Sequence, residues 1–266
     1  MEANENIVNT SGLAVAYGER TVLHDINLRI VRGSVTCICG GSGCGKSTLL
    51  RSLIGLTPIK SGSVHIMGQD MQALEGDARS VFLSRIGFMY QSAGLLNSLS
   101  LLDNLRIPFK AHTQLHDAII DELVMHRLAQ VQLSHALHLL PGELSGGMLK
   151  RAGFARAIAL EPELVLSDEP SAGLDPVTAA DLDALMLRLK DELGISLVVV
   201  THDLDSIKRI ADYVVMLDDG YVKYSGSLQG ALACSDPMVQ KFFAREASSH
   251  GSAEGSLWQQ WQGKSP

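Results

Sequence analysis

The sequence predicts an α/β fold with a parallel-sheet core, an antiparallel β lobe ahead of it and an inserted helical subdomain. A short apolar, β-rich run, Ser34 to Cys39, leads into a glycine loop and then into residues with helical spacing, Thr48 to Leu56. Buried-strand character returns at Leu164 to Ser167 and at Leu197 to Thr201, on either side of an amphipathic helix from Thr178 to Leu193. That alternation is the mark of a parallel core covered by helices. From Ser92 to about Leu140 the pattern is helical throughout, which reads as an insertion.

The elements follow in order. In the first forty residues apolar and polar positions alternate (Leu13, Val15 and Tyr17, then Val22 and Leu23, then Ile26, Leu28 and Ile30) around turns at Gly18 and Gly33, the pattern of an antiparallel lobe. Gly62 to Gly68 and Ile86 to Tyr90 add short strands. In the helical stretch Leu115, Ile119, Ile120, Leu123, Val124 and Leu128 form one stripe, with Thr113 as its expected cap. Five histidines (His112, His116, His126, His135, His138) lie in or beside it. Although His112 and His116 are spaced i, i+4, no carboxylate pattern completes a metal site, so solvated-face histidines are expected. One domain is expected over residues 1–245, with the helical subdomain at about 92–150 and a tail over 246–266.

Composition narrows the function. A chain of 266 residues with 46% hydrophobic residues can bury a sizeable core. A net charge of −7 argues against a broad nucleic-acid footprint. No run approaches the ~18 apolar residues that span a bilayer, and the start, Met-Glu-Ala-Asn-Glu-Asn, lacks the parts of a secretion signal, so a cytosolic setting without structural disulfides is expected.

The chemistry begins at the glycine loop, Gly40-Gly41-Ser42-Gly43-Cys44-Gly45-Lys46-Ser47, a complete G-x-x-x-x-G-K-S. Such a loop turns successive backbone N–H groups inward around a β-phosphate, Lys46 reaches the β and γ oxygens, and Ser47 can ligate Mg2+. Thr48 continues into the helix, whose positive end faces the phosphates. Three of the four cysteines (Cys37, Cys39, Cys44) crowd this strand and loop, where a metal would compete with phosphate. Cys44 reads either as a reactive thiol, favoured by amide dipoles and Lys46, or as a small residue that simply fits.

Leu164-Val-Leu-Ser-Asp168-Glu169 is a strand running into two carboxylates. Asp168 is suited to a hydrated metal and Glu169 to polarising the attacking water. His202, immediately after the Leu197 to Thr201 strand, could orient that water with Glu169. The Gln91 amide can join the Mg2+ or water shell, and the Tyr17 ring can stack on adenine. Leu144-Ser145-Gly146-Gly147-Met148 opens a second glycine-rich helix start ahead of an Ala- and Arg-rich run. A single phosphate loop hardly needs a second helix end from its own chain, so the expected recipient is ATP held by a neighbouring copy, which implies a head-to-tail pair with two-fold symmetry.

Taken in order, Tyr17, the glycine loop, Gln91, LSGGM, VLSDEP, SAGLD (Ser171 to Asp175) and His202 resemble the ATP-binding cassette (ABC) ATPases over residues 7–243. The resemblance implies an ABC-type P-loop ATPase that uses ATP and Mg2+, works as a homodimer and drives a separate integral membrane permease. It places Asp175 in a loop that crosses the dimer. The run LSGGMLKRAGFARAIALEPEL, QSAGLL after Gln91 and His112-Thr-Gln-Leu115 are similar to the ATPases of Mla-type phospholipid transporters. That narrower likeness implies an MCE-domain partner, a small accessory subunit and a peripheral place at the cytoplasmic face of the bacterial inner membrane. Here the chain departs from the common pattern at Ala93-Gly94 and at Gly153. The tail, with Leu257, Trp258 and Trp261, reads either as a flexible linker ending in a segment that docks on a partner or as a disordered terminus. The rival readings are a soluble ABC protein acting on ribosomes or DNA and a small-molecule kinase; LSGGM and Glu169 speak against the kinase.

Overall fold

The computed structural model describes residues 6–244, so the expected docking segment around Trp258 and Trp261 lies outside the described residues. The chain opens with β1 (Asn6–Tyr17) and β2 (Arg20–Val31), followed by β3 (Val35–Gly40), α1 (Lys46–Leu53), β4 (Ser61–Ile66), β5 (Gln69–Asp70), α2 (Gly76–Leu83) and β6 (Ile86–Met89). The insertion contributes α3 (Leu101–His112), α4 (Asp117–Gln130) and α5 (Gly146–Ala157). Then come β7 (Leu164–Asp168), α6 (Pro176–Leu193), β8 (Ser196–Val200), α7 (Leu204–Ile210), β9 (Tyr213–Asp218), β10 (Tyr221–Ser227), α8 (Leu228–Leu232) and α9 (Pro237–Ala244). None of the described helices is long and apolar enough to cross a membrane.

Two sheets result. The antiparallel lobe has the order β2-β1-β4-β5 and the core sheet β10-β9-β3-β8-β7-β6. Within the core sheet β9, β3, β8, β7 and β6 are parallel, and β10 pairs antiparallel to β9. The sheet is packed on both faces. Cys37, Cys39, Val165, Leu197 and Val199 point into a core shared with the helices of the insertion and with α6 and α7, whereas Ile38, Leu164, Leu166, Val198 and Val200 point into a second core with α1 and the β lobe. Burial on both faces explains why these strands read as unbroken apolar runs.

The structure revises the helical insertion. Thr113 does not start a helix; it ends α3, its hydroxyl donating to Phe109 O at 2.8 Å. The cap of α4 is His116, whose Nδ1 accepts from Ala118 N at 3.3 Å. The expected apolar stripe splits as well. Ile120, Val124 and Leu128, spaced by four residues, are buried, whereas Leu115 and Ile119 are exposed. Two strands went unexpected although a signal was there. Asp219 (φ 45°) and Gly220 (φ 77°) make a two-residue turn between β9 and β10, and Asp-Gly is a strong hairpin signal.

Candidate functional site

The glycine loop is held tightly from below. A Cβ on Gly40 (φ 141°) would lie 2.1 Å from Leu217 O, and one on Gly45 (φ 104°) 2.6 Å from Leu23 Cδ2. Glycine is therefore required at both positions by backbone angle and by space. Gly45 begins α1 with no side chain capping the helix, which leaves that end to main-chain N–H groups suited to an anion. Above the loop lies a cleft of about 630 Å³, lined by Gly40, Gly41, Ser42, Gly43, Gly45, Lys46, Ser47 and Thr48 together with Val22, Gln91, Glu169, His202 and Phe242.

Sequence-distant residues meet here. The Ser47 hydroxyl donates to Asp168 Oδ1 at 2.9 Å, and Asp168 is buried, with Arg51 at 3.8 Å from its other oxygen. A hydroxyl beside a carboxylate is an all-oxygen donor set, the chemistry a hard divalent cation such as Mg2+ prefers. The Lys46 ammonium donates to Gly40 O at 3.0 Å and to Gly41 O at 2.8 Å.

One residue past β7, Glu169 adopts φ 52°, a left-handed conformation uncommon for a side-chain-bearing residue, with its N–H donating to Val200 O at 2.8 Å. That turn lifts its carboxylate toward His202, whose Nδ1–H donates to Glu169 Oε1 at 2.8 Å. The pair sits at the carboxyl ends of β7 and β8, where parallel sheets place their ligands.

Other expected residues lie apart. Ser145 and Gly146 are exposed at the start of α5, the Ser145 hydroxyl accepting from Met148 N at a long 3.3 Å. Gly147 packs on the start of α6, where an added Cβ would meet Thr178 Cγ2 at 2.6 Å. Asp175 caps α6, accepting from Val177 N and Thr178 N at 3.1 Å each and from the Thr178 hydroxyl at 2.5 Å. Tyr17 is 52% exposed, with its hydroxyl 3.5 Å from Thr57 Oγ1, and it is not among the residues lining the cleft. The reactive reading of Cys44 is corrected. The side chain packs into the core beneath the loop, and burial raises its thiol pKa against the opposing pull of Lys46, so the thiolate is disfavoured.

The sequence reading missed Phe242, which reaches the cleft from α9, and Lys150, which the fold buries beside Gln91. Phe242 carried no signal, being remote in sequence from every motif. Lys150 looked like any surface lysine on a helix.

A phosphate loop on a parallel sheet, a paired serine and aspartate, and a strand-end carboxylate hydrogen-bonded to an imidazole define a P-loop nucleoside-triphosphate hydrolase. Residues 23–172 match the family model described as ABC transporter, and the chain belongs to that family as an ATP-hydrolysing cassette. It is 38% identical over 237 residues (89% of this chain, 88% of the other) to the intermembrane phospholipid transport system ATP-binding protein MlaF of Escherichia coli K12. It is 35% identical over 244 residues, 92% of each chain, to the protein of the same name from Haemophilus influenzae. A probable ribonucleotide transport ATP-binding protein, mkl of Mycobacterium tuberculosis, is 35% identical over 88% of this chain and 66% of its own. Among solved structures, cbiO1 of Clostridium perfringens, part of the ABC transporter complex cbiONQ, superposes with a TM-score of 0.79 at 28% identity over 86% of this chain and 91% of that one. A dimeric ATP-binding cassette in a post-hydrolysis state with ADP and Pi does so with 0.76 at 29% identity over 83% and 98%.

Proposed function

We propose that this chain is the ATPase subunit of a membrane transporter that moves phospholipid between the inner and outer membranes, and that two copies work as a homodimer on a separate integral permease. The observation that carries the phospholipid reading is the match to the two MlaF proteins along nearly the whole of each chain. For the chemistry, the support is the geometry at the strand ends. The loop amides and Lys46 bind the β- and γ-phosphates, Tyr17 stacks on adenine, and Ser47, Asp168 and Gln91 hold Mg2+, which supplies charge neutralisation at the phosphates. Glu169 accepts a proton from the attacking water, and His202 fixes the direction in which that carboxylate points.

Closure of the dimer brings the Ser145, Gly146 and Gly147 amides of one copy to the γ-phosphate held by the other, and Asp175 lies at the crossing between the two sites. ATP drives the cycle only as far as it binds the closed pair better than the open one. The permease docks in the groove between the β core and the insertion, where Leu96, Ile107, Leu115 and Ile119 of the insertion are exposed apolar side chains. An MCE-domain lipid-binding protein and a small accessory subunit complete the assembly, which is peripheral at the cytoplasmic face of the inner membrane and needs no nucleic acid. Purification of the Glu169→Gln variant from membranes, with identification of what accompanies it, tests this. Phospholipid with an MCE-domain protein is the expected result, and ribonucleotide or another substrate-binding protein would overturn the lipid reading.

A further inference from the structure

Lys150 carries a cation into the interior. It lies on α5, is 6% exposed, and its Nζ donates to Gln91 O at 2.5 Å and to Glu169 O at 3.4 Å. An ammonium taken out of water loses its solvation unless partners replace it. Burial accordingly lowers the Lys150 pKa, opposed by the nearby Glu169 charge. Its acceptors are main-chain carbonyls, so this is no interchangeable salt bridge. Three segments meet at one nitrogen: α5 itself, Gln91 two residues past β6, and Glu169 directly after β7.

Two further contacts hold the same stretch to the same helix. Gly153 lies so close to Ala93 that an added Cβ would stand 2.8 Å from the Ala93 Cβ and 2.9 Å from its backbone. Arg156 donates to Gly94 O. Positions 150, 153 and 156 share one face at successive i, i+3 steps, so a single helix face grips residues 91–94 along their length. The gripped backbone is itself unusual, with Ala93 at φ 63° and Gly94 at φ 69°. Persistence of left-handed alanine implies that its surroundings over-determine it.

We propose that Lys150 is a positioning residue for hydrolysis, setting Gln91 and the backbone of Glu169 in fixed relation to the helix whose start serves the neighbouring copy's nucleotide. The inference rests on the reading of Glu169 as the proton acceptor. Through this clasp α5 and the residue that carries the carboxylate are held as one unit. The role of Lys150 is therefore in turnover rather than in holding ATP.

The test compares full-length wild type, Lys150→Met and Lys150→Arg, measuring kcat, KM, ATP affinity by direct titration and Tm. For Lys150→Met, kcat is expected to fall by ~10- to 100-fold with ATP affinity within about threefold of wild type, and Lys150→Arg, which keeps a charged donor, is expected to recover most of the loss. Equal turnover of the Met variant and wild type would overturn the proposal, as would a parallel loss of affinity, turnover and Tm that Arg does not rescue. Should the Met variant not fold, Lys150→Gln, which keeps an N–H donor without the charge, is judged by the same criteria. Glu169→Gln in parallel separates the two readings: full turnover there would remove Glu169 from its role whatever Lys150 does.

Discussion

The two glycine-rich helix starts, at α1 and at α5, look alike in sequence and differ in what surrounds them. At α1 the loop is walled by Leu217 and Leu23 and faces a cleft that already contains Glu169 and His202. At α5, Ser145 and Gly146 are exposed, and the serine makes one long hydrogen bond to its own helix. The first is a pocket and the second an edge. A helix end with a weak internal cap can exchange that bond for an outside acceptor at little cost, whereas a walled loop has its geometry set before anything binds. The difference supports the proposed reading, in which ATP binding belongs to one copy and turnover to the pair.

The sharpest way to break this comparison is Glu169→Gln. Loss of the proposed general base is expected to lower kcat by about 10²–10⁴-fold while ATP affinity, assigned here to the loop, stays near wild type; steady-state hydrolysis and nucleotide titration check both halves. Ser145→Arg should act on the other side. It fills the exposed helix start, so ATP-dependent dimerisation is expected to disappear in light-scattering measurements and kcat to fall about 10²-fold, with binding to the single copy unchanged. If Ser145→Arg weakened ATP binding by the isolated copy, the two starts would not be separate half-sites. His202→Ala comes next, with about tenfold in kcat, the value of a hydrogen bond to a charged group. Its readout is the ratio of kcat to KM against Glu169→Gln. Loss of the double variant should be no larger than that of Glu169→Gln alone, since both act through one carboxylate.

Why α1 was legible in the sequence and its neighbours less so follows from the range of the forces involved. The glycine loop, Ser47, Asp168 and Glu169 are fixed by local backbone demands, so a strand, a glycine and a carboxylate in sequence order are enough to place them. Lys150 was invisible because its burial depends on residues 91–94 and 169, far from it in the chain. Phe242 reaches the cleft only because α9 folds back to it. Thr113 misled for a local reason: a threonine ahead of an apolar run fits an N-cap, yet its hydroxyl turns back to Phe109 O and finishes the preceding helix instead. Cys44 misled in the opposite sense, since the loop's dipoles face the cleft while the thiol faces the core. In the native protein Cys44 is therefore expected to react with iodoacetamide slowly at neutral pH and at the rate of a free thiol once unfolded; rapid native labelling that ATP blocks would restore the reactive reading.

The smallest expected effect sharpens the contrast at the level of single caps. Ser145 and Asp175 both begin helices on the same side of the molecule, but Asp175 is held by three donors and Ser145 by one. Hydrogen bonds from the Thr178 side chain, and then from the Thr178 and Val177 amides, hold the Asp175 carboxyl below the ordinary 3.8. The sign follows from linkage: a carboxylate whose pKa is depressed in the folded state adds stability that is fully present above its unfolded value and is lost as the pH falls through the folded one. The urea midpoint of wild type should therefore exceed that of Asp175→Asn at neutral pH, and the gap should close as the pH falls below 3.8. Ser145→Ala should shift the midpoint less, by an amount that does not change with pH, because a hydroxyl cap carries no titrating charge. A midpoint shift for Ser145→Ala as large as that for Asp175→Asn at neutral pH would mean that the start of α5 is as firmly held as that of α6, and a helix start held that firmly could not serve as the edge that a second copy's nucleotide completes.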